Sequence, residues 1–257
     1  MKGAFDAARS WGRELALFGT AYALYSLGRF VVIGDMDVAT ANARWIVELE
    51  RSVSLDVERR VQRALDGSWL LWMLNHLYLA AQLIVVPGTL VFLYRRSIEH
   101  YTLLRNTVLA TWLISLPIYA LFPVAPPRLA DVGLVDTITT QTGLALDSKL
   151  TTKLYNPIAA VPSLHAGFAV AVSAALAAAA RGLRARMLLW LWAPTVCLAV
   201  VATGNHFIAD IAAGVAVTAV GYGIGRCTRA EQRIRSPRPR PAGGPRSAAP
   251  SSASPLS

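Results

Sequence analysis

Six stretches of this chain are each apolar for long enough to cross a bilayer, and no other feature narrows its possible folds as far. They are Leu15–Ile33, Trp69–Tyr94, Leu103–Pro123, Pro162–Ala180, Met187–Gly204 and His206–Arg226. A spanning helix needs roughly 20 largely apolar residues, with polar groups at its ends or turned toward protein. The composition agrees: 54% of the 257 residues are hydrophobic and 16% charged, with a mean hydropathy of +0.44, too apolar for an ordinary soluble domain. The expectation is an all-α, polytopic membrane protein, a six-transmembrane-helix bundle over residues 1–226. A Pro-, Ser- and Arg-rich segment over residues 227–257 is expected to be a disordered basic cytoplasmic tail. Pro87, Pro117 and Pro194 lie inside three of the spans and should kink them, which membrane helices tolerate. Between the first two spans, "ATANARWIVELERSVSLDVERRVQRAL" sets apolar residues at helical spacing among charges. That pattern predicts an amphipathic helix lying on the membrane surface, with Glu48 and Glu50 on its polar face. Pro126–Ala160 reads as a long polar loop.

Charge then orients the bundle. The net charge is +10, and the arginines and lysines cluster in alternate connections. Lys2, Arg9 and Arg13 precede the first span, and Arg95, Arg96 and Arg105 join the second to the third. Arg181, Arg184 and Arg186 join the fourth to the fifth, and the basic tail follows the sixth. Positively biased segments belong to the cytoplasm, so both termini lie there in a multi-pass protein of a bacterial-type plasma membrane. This anchoring pattern, not nucleic-acid binding, accounts for the excess charge. The apolar run after Arg13 lacks a convincing small-residue cleavage site and is taken as a retained span. Cys197 and Cys227 fall in or beside apolar runs and suggest neither a disulfide nor a metal site.

The topology has a consequence for three polar clusters. "FPVAPPRL" after span three, "VPSLHAG" before span four and "TGNHFIAD" between spans five and six all fall on the extracytoplasmic face. In the second, Pro162 at a helix start leaves the N–H groups of Ser163, Leu164 and His165 without intrahelical acceptors, a ready anion site to which Ser163 Oγ adds a donor. In the third, His206 and Asp210 stand one helical turn apart on one face, so the carboxylate can fix the imidazole tautomer and leave Nε2 as nucleophile or base. In the first, Arg128 offers a permanently charged fork that suits two phosphate oxygens. Taken singly, each has a plainer reading: a helix start with an interfacial histidine, a polar pair joining two helices, and an arginine meeting lipid headgroups.

Together they suggest phosphoryl transfer that calls for no metal or organic cofactor. His206 attacks phosphorus, Asp210 steadies the imidazolium, and His165 protonates the departing oxygen before acting as base toward water or an alcohol. Arg128 and the helix-start amides hold the equatorial oxygens. A phosphohistidine intermediate would follow.

These motifs resemble the type-2 phosphatidic acid phosphatase superfamily over roughly Leu103–Gly214, and more loosely over all six helices. "PSLH" is similar to its proline-serine-X-histidine motif, "HFIAD" to its His-X-X-X-Asp motif, and "PPR" to what is left of its first. The resemblance implies an integral-membrane lipid phosphatase with His206 as nucleophile, His165 as acid, Asp210 as orienter and Arg128 as phosphate ligand. Two of the family's cations are missing: Leu121 stands where its lysine would be, and Ala199-Val200 where Ser-Arg would be. Thr203, Asn205 or Lys153 are the candidates to replace them, with Asn205 taken as a phosphate ligand. "FPVAPPR" and "NPIAAVPSLHAG" look closer to the inositol phosphorylceramide synthase-like branch, whose members pass a phosphoryl headgroup to an alcohol. The expected partners are a membrane lipid phosphate or phospholipid substrate and the bilayer itself. A non-enzymatic lipid transporter on the same fold is the rival class, but the cytoplasmic loops offer it mainly arginines.

Other polar residues have plainer expectations. His76, beside Asn75, either lines the cavity or bonds another helix, with the latter favoured. His100 is expected to be solvated, Arg29 to snorkel toward the interface, and Trp69, Trp72 and Trp112 to anchor or pack.

Overall fold

In the computed structural model the described residues are 12–21, 23, 35–144, 146 and 158–235, and these form an all-α structure with one isolated bridge between Val124 and Ala159. Helix α1 covers residues 12–21. It is followed by α2 (Met36–Ser52), α3 (Glu58–Leu65), α4 (Trp69–Arg96) and α5 (Ile98–Leu121). The short α6 (Thr137–Thr142) precedes α7 (Leu164–Ala179), α8 (Leu183–Ala202) and α9 (Ile208–Arg235). Four of these are long and apolar enough to cross a membrane: α4, α5, α8 and residues Ile208–Ala230 of α9. Helix α7 is apolar but has only 16 residues. At 1.5 Å per residue that is about 24 Å, short of a hydrocarbon core of about 30 Å. Most of the expected first span lies outside the described residues. Among the described residues, four long apolar helices and a shorter one thus stand where six spans were expected.

Local chemistry explains the helix boundaries. Ser68 caps α4 by accepting from the Leu71 amide at 3.2 Å, and Asp35 caps α2 by accepting from Asp37 at 2.8 Å. Pro87 has no N–H to give the carbonyl of Leu83, and α4 widens into a π turn over Ala81–Val85 just before it. Pro194 likewise leaves the Trp190 carbonyl unbonded by its own nitrogen, and α8 is interrupted at Leu191. Helix α5 runs without interruption through Pro117.

Helix α9 is the spine of the bundle and packs on α5 and α7. Its close approaches fall at glycines, as expected where helices meet in lipid without a solvent-driven force between them. A Cβ on Gly214 would overlap the Ser163 carbonyl at the start of α7, and one on Gly221 would lie 3.0 Å from the Thr107 carbonyl of α5. Helix α8 completes the bundle by packing Val196 and Val200 against α4 and α7.

Three expectations are corrected here. The predicted single amphipathic helix is two helices, broken at Val53–Val57, where Ser54 adopts a positive φ of 59°. Its inner stripe faces protein, not headgroups: Ala39, Ala43 and Ile46 pack on Val124, Ala130, Ile158 and Phe207. Helix α9 also continues past Arg226 to Arg235, with Arg229 paired to Glu99; residues 236–257 lie outside the described residues. His100 is half-buried and bonded to Ser97 Oγ at 2.7 Å, where solvation was expected.

Candidate active site

The three sequence clusters meet at one end of the bundle because backbone bonds sew their connections together. The Val124 amide donates to Ile158 at 3.0 Å and the Ala160 amide to Val124 at 3.1 Å, which runs the exit from α5 beside the entry to α7. The Arg128 amide donates to Gly204 at 2.9 Å, and the Ser163 amide to Asp210 at 3.0 Å. The result is a single cavity of about 720 Å³ onto which Arg128, Leu164, His165, Asn205 and His206 open.

The His206–Asp210 pair is built from a tight turn and a helix start. Gly204 takes φ +69°, a conformation that favours glycine, and the next two amides, of Asn205 and His206, both donate to the Val200 carbonyl at 3.0 and 3.1 Å. Asp210 follows in the first turn of α9 and is fully buried. Its Oδ2 receives His206 Nδ1 at 3.2 Å and the Phe207 amide at 2.9 Å. With Asp210 ionised the carboxylate only accepts, so Nδ1 is then the donor and Nε2 keeps its lone pair.

His165, in the first turn of α7, stacks on Tyr78 of α4 with ring centroids 4.1 Å apart and planes at 16°. Its ring lies 6.1 Å from that of His206. Arg128 sits in the 3-10 turn Pro127–Leu129, and its side chain is nearly all enclosed. Its Nε donates to Asn205 Oδ1 at 3.0 Å and a terminal nitrogen to Asp136 Oδ2 at 3.4 Å. Asn205 is itself aimed by its amide nitrogen, which donates to the Thr203 carbonyl at 3.2 Å and hydroxyl at 2.9 Å. The guanidinium is thereby oriented from two sides.

Some expected donors are otherwise engaged. Ser163 precedes α7 as its N-cap: Oγ accepts from the Ala166 amide at 3.3 Å, while its own N–H serves Asp210. Leu164 and His165 line the cavity, whereas Ser163 is buried between α7 and α9. Neither missing cation is restored at its own position. Leu121 is 86% exposed, and Ala199 and Val200 are fully buried in apolar surroundings. Lys153 and Arg29 lie outside the described residues, among which Arg128 is the sole cation lining the cavity. Among the described residues His76 neither lines the cavity nor bonds another helix: its Nδ1 meets the Trp72 carbonyl of its own helix at 2.8 Å. Its neighbour Asn75 does make the inter-helix contacts, to Gln141 and Thr137, each at 2.9 Å.

Away from the histidines the cavity becomes an apolar groove walled by Phe18, Val86, Leu90, Val108, Trp112 and Phe168. Tyr119 and Tyr101 of α5 both line it. Their 18-residue separation corresponds to about 27 Å along the helix axis, nearly a hydrocarbon thickness. At the far end Glu14 of α1 bonds Arg105 and Tyr101 of α5, each at 2.7 Å.

Three carboxylates around the site escaped the sequence reading. Asp136 caps α6 while holding Arg128. Glu58 and Glu50 are buried and accept from the Ile208 and Ala209 amides at 3.0 and 2.8 Å. A legible signal existed for Glu50: it continues the Ala39, Ala43, Ile46 stripe at helical spacing, an acidic residue on the apolar face.

Helices of this length and composition make the chain an integral membrane protein, with two histidines and an arginine on one cavity at one end. A family model described as the PAP2 superfamily matches residues 44–224, and the chain belongs to that superfamily. Membership implies phosphatase-type activity in general, typically without a metal ion. Searches of curated proteins and of solved structures found no match.

Proposed function

We propose that this protein is a lipid phosphatase that works through a phosphohistidine. The observation that carries the reading is the shared cavity: an arginine, a histidine and a carboxylate-paired histidine open on one apolar groove long enough for a hydrocarbon tail. His206 Nε2 attacks phosphorus, a P–N bond forms, and the P–O bond to the lipid breaks. His165 gives the departing oxygen its proton. It then takes one from water, whose oxygen displaces His206 and releases inorganic phosphate. Arg128, with the first amides of α7, faces the charge that builds on the equatorial oxygens. Asn205 steers Arg128 and stands beside it toward the phosphate.

Transfer to an alcohol is the second reading. It is favoured by the apolar burial of Ala199 and Val200, because the inositol phosphorylceramide synthase-like branch also lacks that arginine. One experiment separates the two. Purified protein in detergent with EDTA is given phosphatidate, isoprenoid phosphates and phosphatidylglycerol phosphate, and in parallel a phospholipid donor with inositol. Phosphate release from a lipid phosphate supports hydrolysis, and a new inositol phospholipid supports transfer. Silence in both arms sinks the enzyme reading.

The site is proposed to face the extracytoplasmic side. In intact cells an impermeant thiol reagent should then label Leu144→Cys, while Cys227 reacts only after permeabilisation. The reverse pattern overturns the orientation.

A further inference from the structure

We propose that Glu50 and Glu58 are positioning residues for the His206–Asp210 pair, holding the first turn of α9 so that Asp210 stays on the imidazole. The inference rests on the reading of His206 as nucleophile. Three consecutive amides at the start of α9 each meet a carboxyl oxygen. Phe207 donates to Asp210 at 2.9 Å, Ile208 to Glu58 at 3.0 Å and Ala209 to Glu50 at 2.8 Å. Amides in a first turn have no intrahelical acceptor and, when buried, must find another. Asp210 Oδ2 already carries both Phe207 and His206. Were Ile208 and Ala209 left without acceptors, they would compete for that carboxylate and draw it off the ring.

The chain goes to some length to bring the two glutamates there. The break between α2 and α3 closes on the Glu50 carbonyl, which accepts from Val53 at 3.2 Å and Leu55 at 2.8 Å, and Ser54 turns the chain with its positive φ. Both side chains are buried, at 3% and 4% exposure, yet neither is among those lining the cavity. They act on the site through α9, not on substrate. Their carboxyl oxygens also occupy the amide end of that helix, which leaves phosphate to Arg128 and the start of α7.

Burial, and then the charges on Glu58 of α3 and Asp210 of α9, push the Glu50 carboxyl up to about 8, against the Ala209 hydrogen bond that lowers it. Its Oε2 has no hydrogen-bond partner among the described residues. Glu50 therefore holds a proton at neutral pH. The native state binds more protons than the unfolded chain between the ordinary carboxyl range and about 8, so the seat weakens as pH rises through that window.

The test uses full-length protein in detergent with a lipid phosphate that the wild type hydrolyses. Glu50→Ala should lower kcat at least tenfold at pH 7 with KM nearly unchanged. Glu50→Gln keeps an acceptor for Ala209 but does not ionise, so it should retain most of kcat and lack the alkaline decline near pH 8. A Glu50→Gln profile that superimposes on the wild type at high pH overturns the proposal, as does Glu50→Ala with wild-type kcat. NMR of ¹⁵N-histidine protein supplies a readout independent of turnover. The His206 Nδ1–H signal should persist in Glu50→Gln and vanish on raising the wild type above pH 8. If the wild type hydrolyses nothing, the functional reading has failed, and the NMR titration alone decides on the positioning role: a signal unchanged across pH 8 ends it.

Discussion

The His206→Ala variant loses hydrolysis by on the order of 10⁶-fold, as removal of a covalent nucleophile does elsewhere. The size follows from the architecture. On the proposed mechanism His165 only moves protons to and from substrate oxygens, so it offers no route around the missing P–N bond. On the proposed mechanism Arg128 and the α7 amides would still bind phosphate in the variant, so KM should move much less than kcat. Rapid quenching of the wild type with ³²P-labelled substrate should trap acid-labile label on the protein, and the variant should trap none. Full phosphate release by His206→Ala would end the nucleophile assignment, whatever became of the rest of the site.

Gly214→Ala should be the most damaging single methyl group in the bundle. The added Cβ would overlap the carbonyl of Ser163, the N-cap of α7, whose amide is bonded to the Asp210 carbonyl. A backbone carbonyl does not step aside as a flexible side chain does, so α7 must shift off α9. Overpacking of this kind costs about 1–3 kcal/mol. For a chain of this size that lowers Tm by about 2–4 °C per kcal/mol. The same shift moves His165 relative to His206, and a displacement of about 1 Å at a reacting group costs roughly 100-fold in rate. Gly223→Ala is the control, since a Cβ there meets nothing within 4 Å. Thermal unfolding in detergent and kcat should separate the two variants. Equal behaviour would show that the α7–α9 contact does not govern the site.

The contrast between these positions bears on what the sequence disclosed. Apolar length announced α4, α5, α8 and α9, because lipid imposes one strong demand on every residue of a spanning helix. The pairing of His206 with Asp210 was also legible, since both belong to one helical turn. So was the gathering of Arg128, His165 and His206 at one end, because alternating topology leaves little choice of side. What stayed hidden depended on contacts between distant segments. Ser163 reads as an anion donor only until its amide is seen to serve Asp210. Glu50 and Glu58 look like members of a wet face until α2 and α3 fold back over the start of α9. Asn205 suggests a phosphate ligand, and its oxygen turns out to be aimed at Arg128. His76 shows the opposite failure: a polar residue in a span, bonded within its own helix.

The clasp of Glu14, Tyr101 and Arg105 carries a last consequence. Residues 44–224 match the superfamily, but Glu14 lies before them and supplies the counter-ion of an arginine that is only 5% exposed inside a membrane helix. A buried cation stripped of its partner is far costlier than a missing apolar contact. The segment preceding the shared core is therefore no detachable extra: trimming the protein down to its familial portion would leave the buried Arg105 without its counter-ion.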